Sequence, residues 1–294
     1  MSCEVILVNL KNHQSYIIDN IKNLLLFGNK NITVITSTDL IPYFDSLKDK
    51  IKIVDETELD IEYFDKGNKQ NSSFRNGFWP LTSKRLFCVY EYIKKYKVEK
   101  CFHLENDTMV YKKLDDIIPS ITKDKLYVTI DAPNRCIAGI MYIPNYVIMS
   151  PLIEKYMYNK NDMINLVSFF NKNPSLCESL PIIQENINYK KSDTYSKNYD
   201  SFKIIFDGAA IGQYLGGVDP RNKSGDTRGF INETTVVKYN KYKFLWIKNE
   251  EYLYIPHIEL NNKFIPICNL HIHSKRLGNF MGDDPKETKL IPRV

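Results

Sequence analysis

Between Glu4 and Val54 the chain alternates apolar β-forming runs with one helical stripe, and this order constrains the fold more than any other feature of its 294 residues. Glu4 to Asn9 is a β-rich run, and Tyr16, Ile17, Ile21, Leu24 and Leu25 then recur at helical spacing between Ser15 and Phe27. Gly28-Asn29-Lys30-Asn31 is a C-cap and turn cluster. Ile32 to Ile35 reads as a second strand, closed by Thr36-Ser37-Thr38-Asp39, and Ile51 to Val54 as a third. Strand–helix–strand alternation at this spacing opens a parallel sheet, which places the chain in the α/β class. Neither GxGxxG nor GxxxxGK[ST] follows Val8, so Rossmann dinucleotide binding and P-loop chemistry are disfavoured.

The second constraint lies between Lys97 and Tyr111. A short apolar strand there ends in two carboxylates one residue apart, Glu105 and Asp107, followed by another short apolar run. Open α/β sheets bind ligands just beyond the carboxyl ends of their strands. Two hard oxygen ligands in that position suit Mg²⁺ or Mn²⁺ carrying a diphosphate. An acid-x-acid pair is a weak signal alone, because Asp107 could equally cap a helix. The run Glu56, Glu58, Asp60 and Glu62, alternating with Thr57, Leu59 and Ile61, reads as a solvated edge or loop.

Hydrophobic residues make up 43% of the chain and charged residues 26%, as in ordinary soluble globular proteins. The net charge of +5 is dispersed. Lys94, Lys95, Lys97 and Lys100 surround a helix end but extend into no aromatic-interleaved basic stripe, so nucleic acid is not the expected partner. A mild positive field favours anionic small molecules. Cys3, Cys88, Cys101, Cys136, Cys177 and Cys268 form no CxxC pair, and several sit in apolar runs as buried free thiols do. No signal-like segment and no run of about 18 apolar residues occurs, which predicts a cytoplasmic protein without a membrane span.

Further along, Lys66 to Gly77 reads as an exposed loop, leading through Phe78-Trp79-Pro80-Leu81-Thr82 into a helix from Ser83 to Tyr96. Leu126–Ile130 and Ala138–Ile143 read as strands, and Val147–Tyr158 and Asp162–Asn171 as helices. Asn173 to Ser201 is polar and reads as a surface excursion. A short strand, Ile204–Phe206, precedes Asp207-Gly208-Ala209-Ala210. Thr235–Tyr239, Phe244–Ile247, Tyr252–His257 and Phe264–His273 are β-like, and the last carries His271 and His273 on one strand face. No repeat and no linker divides the chain, so one domain is expected.

Taken in order, the N-terminal βαβ, Phe78-Trp79-Pro80-Leu81-Thr82 with Arg85, His103-Leu104-Glu105-Asn106-Asp107, Phe206-Asp207-Gly208-Ala209-Ala210 and Asn269-Leu270-His271-Ile272-His273-Ser274-Lys275 resemble the GT-A nucleotide-sugar glycosyltransferases. Their metal motif opens here with Glu rather than the commoner Asp. The resemblance implies a GT-A-like, Rossmann-related mixed sheet flanked by helices, with residues 1–110 as the nucleotide-sugar half and 111–294 as the acceptor half with a C-terminal tail. It implies transfer of a hexosyl or N-acetylhexosaminyl group from a nucleoside-diphosphate sugar, a UDP-sugar by preference, to a glycan, protein or small-molecule hydroxyl. Mn²⁺ or Mg²⁺ would be held by Glu105, Asp107 and one of His271 and His273. Lys275 or Arg276 would meet the diphosphate, and Arg85 would hold Glu105 or a donor phosphate by its bidentate fork. Val8 and Asn9, and Thr38 and Asp39, end the first two strands where base and ribose would lie, with Asn106 between the metal ligands. Asp207 is the first candidate for the base that deprotonates the acceptor, ahead of Asp219 and Asp131. Gly278-Asn279-Phe280-Met281-Gly282 has the composition of a mobile flap over the donor. Two other readings stay open: a non-catalytic glycan- or nucleotide-sugar-binding protein, and a sugar-nucleotide pyrophosphorylase, for which Asn9-Leu10-Lys11-Asn12-His13 lacks the Gly-rich loop.

Overall fold

The computed structural model describes residues 2–122, 124–185, 193–222 and 225–294. In chain order the strands are β1 (Glu4–Asn9), β2 (Ile32–Thr36), β3 (Lys52–Asp55), β4 (Cys101–Leu104), β5 (Thr108–Val110), β6 (Leu126–Ala132), β7 (Arg135–Ile143), β8 (Cys177–Leu180), β9 (Lys243–Lys248), β10 (Tyr254–Leu260), β11 (Lys263–Pro266) and β12 (Asn269–His271). The helices are α1 (Ile17–Leu26), α2 (Glu62–Gly67), α3 (Phe78–Tyr96), α4 (Tyr146–Glu154), α5 (Asp162–Lys172), α6 (Tyr199–Phe202) and α7 (Ile211–Gly216).

Seven strands form one sheet in the order β3-β2-β1-β4-β7-β6-β8. β3, β2, β1 and β4 pair in parallel, β7 runs against β4 and β6, and β8 pairs parallel to β6. This is the mixed, helix-flanked α/β sheet expected from the sequence. β1 shows why it is buried on both faces: Val5 and Leu7 pack with Ile17, Ile21 and Leu24 of α1, while Ile6 and Val8 join the α3 side with Leu86, Val89 and Ile93. Because β7 is reversed, the end of β4, the end of β6 and the start of β7 all meet at one edge. β5 and β12 pair antiparallel beside that edge, and β9, β10 and β11 form a separate sheet. All six cysteines are buried free thiols.

Several boundaries differ from expectation. α3 begins at Phe78 rather than Ser83. Gly77 turns the chain into it at φ +89°, and Pro80 is tolerated in the first turn, where its missing N–H is an orphan anyway. Residues 173–201 are not wholly a surface excursion, since Cys177–Leu180 is the buried edge strand β8; positions 186–192 of that stretch lie outside the described residues. Only four residues long, β8 shows no readable period amid its polar flanks. Thr235–Tyr239 holds no strand. The 264–273 run splits into β11 and β12, because Ile267 leaves to bridge Ile205.

The tail is not a flap. Leu277 and Ile291 are 0% exposed and Phe280 1%, Tyr111 donates its hydroxyl to the Phe280 carbonyl at 2.9 Å, and the Gly282 N–H donates to Asn23 Oδ1 at 2.9 Å. Its apolar residues serve the core, a role composition could not separate from covering a ligand.

Candidate active site

Glu105 is the first residue past β4, and the turn it opens is fastened from three sides. Its N–H donates to the Gly139 carbonyl of β7 at 3.0 Å, and the Thr108 N–H closes the turn on the Glu105 carbonyl at 3.0 Å. Asn20 of α1 donates to the Asn106 carbonyl at 3.0 Å, and Asn106 Nδ2 donates to the Val8 carbonyl at 2.8 Å and to Gln14 Oε1 at 2.7 Å. These bonds aim Glu105 and Asp107 at the sheet edge and leave Asn106 as the clasp between β1 and β4.

His271 reaches the same point through strand pairing, because the β5–β12 register sets it opposite Thr108, and the Ile272 N–H extends the ladder to the Asp107 carbonyl at 2.8 Å. His271 Nε2 lies 2.9 Å from Glu105 Oε2 and 3.2 Å from Asp107 Oδ1. The ligand atoms of Glu105, Asp107 and His271 all fall within 4.8 Å of one another, close enough to hold one divalent cation. His271 Nδ1 stands 2.7 Å from the Gly208 carbonyl. An N–H donated there fixes the tautomer whose Nε2 lone pair faces the carboxylates, the outer-shell support that metal-binding imidazoles receive. The donor set therefore fits a cation. Without one, burial opposes a charged His271, but Asp107 and Glu105 outweigh it and hold its pKa well above the usual value.

Cations surround these acids. Arg85 on α3 bridges Glu105 Oε1 at 2.6 Å and Asp162 Oδ2 at 3.0 Å, and Lys275 pairs with Asp107 Oδ2. Burial disfavours both carboxylates, yet Arg85 and His271 hold Glu105 below its usual range, and Lys275 and His271 hold Asp107 well below its own. Asp162, buried at the start of α5, is pushed up by desolvation despite Arg85. Lys275 stands in the left-handed region at φ +61°, a conformation that costs a non-glycine residue about 1–2 kcal/mol.

These groups line a cleft of about 810 Å³. Val8, Arg85, Glu105, Asn106, Asp107, His271, His273 and Lys275 all face it, whereas Asn9, Thr38, Asp39 and Asp207 do not. Asn9 is fully buried, with Oδ1 accepting from the Gln14 N–H at 3.3 Å. Thr38 and Asp39 are exposed, away from the cleft, in the 3-10 segment that follows β2. Asp207, the first candidate base, is buried away from the cleft: it is 1% exposed, and its two oxygens accept the N–H groups of Ala210, Ile211, Gly212 and His271 at 2.7–2.9 Å. It caps α7 and ties that helix to β12. Asp131 is likewise gripped by Arg135 outside the cleft, at 2.7 and 3.0 Å.

His273 lies beyond the end of β12 and outside the three-ligand group, although its ring centroid is 4.3 Å from that of His271. Burial pushes its pKa down to about 3, aided by His271 and Lys275. The segment before α3 is largely exposed, as expected, and it also borders the cleft: Phe74 and Arg75 line it together with Phe78 and Trp79 from the first turn of α3, with Arg75, Asn76 and Gly77 all at positive φ. Arg75 reaches across to Asp219 at 3.6 Å and to Asn222, and Arg221 grips Asp219 at 2.7 Å. Arg75, Asp162, Gln213 and Arg221 were not singled out from sequence. The partners of Arg75, Asp162 and Gln213 lie far along the chain, and the local Arg221–Asp219 pair looks in sequence like any surface ion pair.

No protein-family model matches the sequence, and no curated protein matches it. Among solved structures, the chain is similar to mouse xyloside xylosyltransferase 1 at 9% identity and a TM-score of 0.46, covering 67% of this chain and 94% of that one. It is similar to the glycosyltransferase GlyE of Streptococcus pneumoniae at 14% identity and a TM-score of 0.42, over 61% of this chain and 45% of the other. A cytidylyltransferase of Leptospira borgpetersenii follows at 9% identity and a TM-score of 0.38, over 62% and 76%. Among the described residues no helix is long and apolar enough to cross a membrane.

Proposed function

We propose that the protein is a metal-dependent glycosyltransferase that moves a sugar from a nucleoside-diphosphate donor to an acceptor hydroxyl, with residues 1–294 acting as one catalytic domain. The observation that carries this reading is the Glu105, Asp107 and His271 cluster at a strand end, ringed by Arg85 and Lys275 inside a cleft large enough for a nucleotide sugar. Glu105, Asp107 and His271 would hold Mn²⁺ or Mg²⁺, which when bound supplies Lewis-acid stabilisation of the departing diphosphate. Lys275 leaves Asp107 for a donor phosphate, and its strained backbone is consistent with a side chain kept for that task. Arg85 holds Glu105 in place by sharing itself with Asp162. Asn106 and Val8 border the nucleoside, and Phe74 and Trp79 offer an apolar wall to the acceptor. The uridine base and the hexose type rest on the family resemblance, as does a glycan, protein or small-molecule acceptor.

The test is incubation with UDP-, GDP- and dTDP-sugars and Mn²⁺, following release of free nucleoside diphosphate. Release that stops in EDTA supports the reading. If no sugar nucleotide binds in the presence of Mn²⁺ the reading fails. Formation of a sugar nucleotide from a sugar 1-phosphate and a nucleoside triphosphate, with pyrophosphate release, would replace it by a pyrophosphorylase.

A further inference from the structure

Several buried polar atoms on cleft residues have no partner among the described residues, and two of them belong to neighbouring side chains, Gln213 and His273. Gln213 Nε2 lies 2.8 Å from His273 Nδ1, while Gln213 Oε1 and His273 Nε2 are both shielded and unpaired. Both residues face the cleft. With the Gln213 amide donating to Nδ1, the neutral imidazole carries its proton on Nε2. The pair thus leaves one donor and one acceptor unpaired on two adjoining side chains. A sugar hydroxyl, which gives and takes one hydrogen bond each, matches that pattern.

The pair is built rather than incidental. Gly212 precedes Gln213 in α7, and a Cβ there would overlap the backbone of His271. The missing side chain lets α7 press onto β12, with Asp207 binding both elements, and so carries Gln213 to His273. The 4.3 Å separation of the His271 and His273 rings sets the pair beside the cation ligands. A sugar bonded to a cation-bound diphosphate must lie next to them.

We propose that His273 and Gln213 read a hydroxyl of the donor sugar, leaving the cation to Glu105, Asp107 and His271. This rests on the glycosyltransferase reading. The test compares wild type with Gln213→Leu and His273→Phe by calorimetric titration, first with Mn²⁺ alone, then with UDP, GDP and dTDP in Mn²⁺, then with their hexose and N-acetylhexosamine conjugates. Melting curves show which variants fold, and Gln213→Leu, on an otherwise intact helix, stands in if His273→Phe does not. Mn²⁺ and diphosphate affinities should stay within about twofold. The gain in affinity or turnover that the preferred sugar confers over its epimers should fall by about 10–100-fold, because a site that pairs with a hydroxyl discriminates strongly against analogues that misplace it. A tenfold loss of Mn²⁺ affinity in His273→Phe would make His273 a metal ligand and overturn the proposal. Unchanged sugar preference in the folded variants, a wild type that prefers no sugar over the bare diphosphate, or an effect confined to acceptor KM would overturn it as well. If wild type binds no sugar nucleotide at all, the glycosyltransferase reading itself is what fails.

Discussion

Asp107 touches Lys275 and His271 and faces the cleft, while its strand packs through Phe102 and Leu104. Asp107→Asn should therefore lower transfer by about 100-fold or more, the scale seen when one stabilising group is removed from a charged transition state, with little change in melting temperature. Near-wild-type turnover in Mn²⁺ would sink the metal assignment. Arg85 has a different signature, because its loss leaves Asp162 buried without a counterion and Glu105 with only His271 beside it. Arg85→Ala should cost about 3–5 kcal/mol in denaturant unfolding, whereas a loss of activity at full stability would make Arg85 a ligand-binding group only. At this scale Glu105, Asp107 and Lys275 were legible because strand ends and charge are local signals. Asn9, Thr38 and Asp39 were placed by strand position alone, and position does not reveal whether a side chain turns inward.

At the scale of elements, the contact between α7 and β12 matters most. Asp207 satisfies the N–H groups of Ala210, Ile211 and Gly212 at the start of α7 and one strand N–H with a single carboxylate. Asp207→Ala should destabilise the protein by about 2–4 kcal/mol, combining a lost cap with buried charge-assisted bonds. A variant that folds as wild type but cannot transfer sugar would restore Asp207 as a catalytic group. Gly212→Ala should push α7 off β12 and weaken Mn²⁺ binding through His271. Calorimetry showing wild-type Mn²⁺ affinity would mean that the two elements do not position each other. The sequence placed a strand-end Asp before small residues, yet a carboxylate in front of a helix can serve either as an N-cap or as a base, and the two look alike there.

Across the whole molecule, cation binding and tail packing make opposite predictions about stability. Mn²⁺ binding to the folded state alone should raise the melting temperature in wild type and not in Asp107→Asn, by up to about 2.7 kcal/mol of stabilisation at about 100 times Kd. Truncation after Lys275 removes Leu277, Phe280 and Ile291, all buried, each worth about 1.5–3 kcal/mol of burial. It should yield a protein that fails to fold, not one with a weakened donor KM. A truncated chain that melts as wild type would return the tail to the role of a flap. The sequence by itself determined the α/β class, the parallel opening, the buried thiols and the carboxylates at the end of β4, because apolar period and strand-end chemistry are properties of a few neighbouring residues. Only the tertiary structure decided that β7 runs backward, that His271 and not His273 completes the acidic cluster, that Asp207 is buried between α7 and β12, and that residues 74–79 border the cleft. Those outcomes depend on register and packing between distant segments, such as Asp107 with Lys275, 168 residues away, and no local pattern encodes which distant partner a side chain will meet.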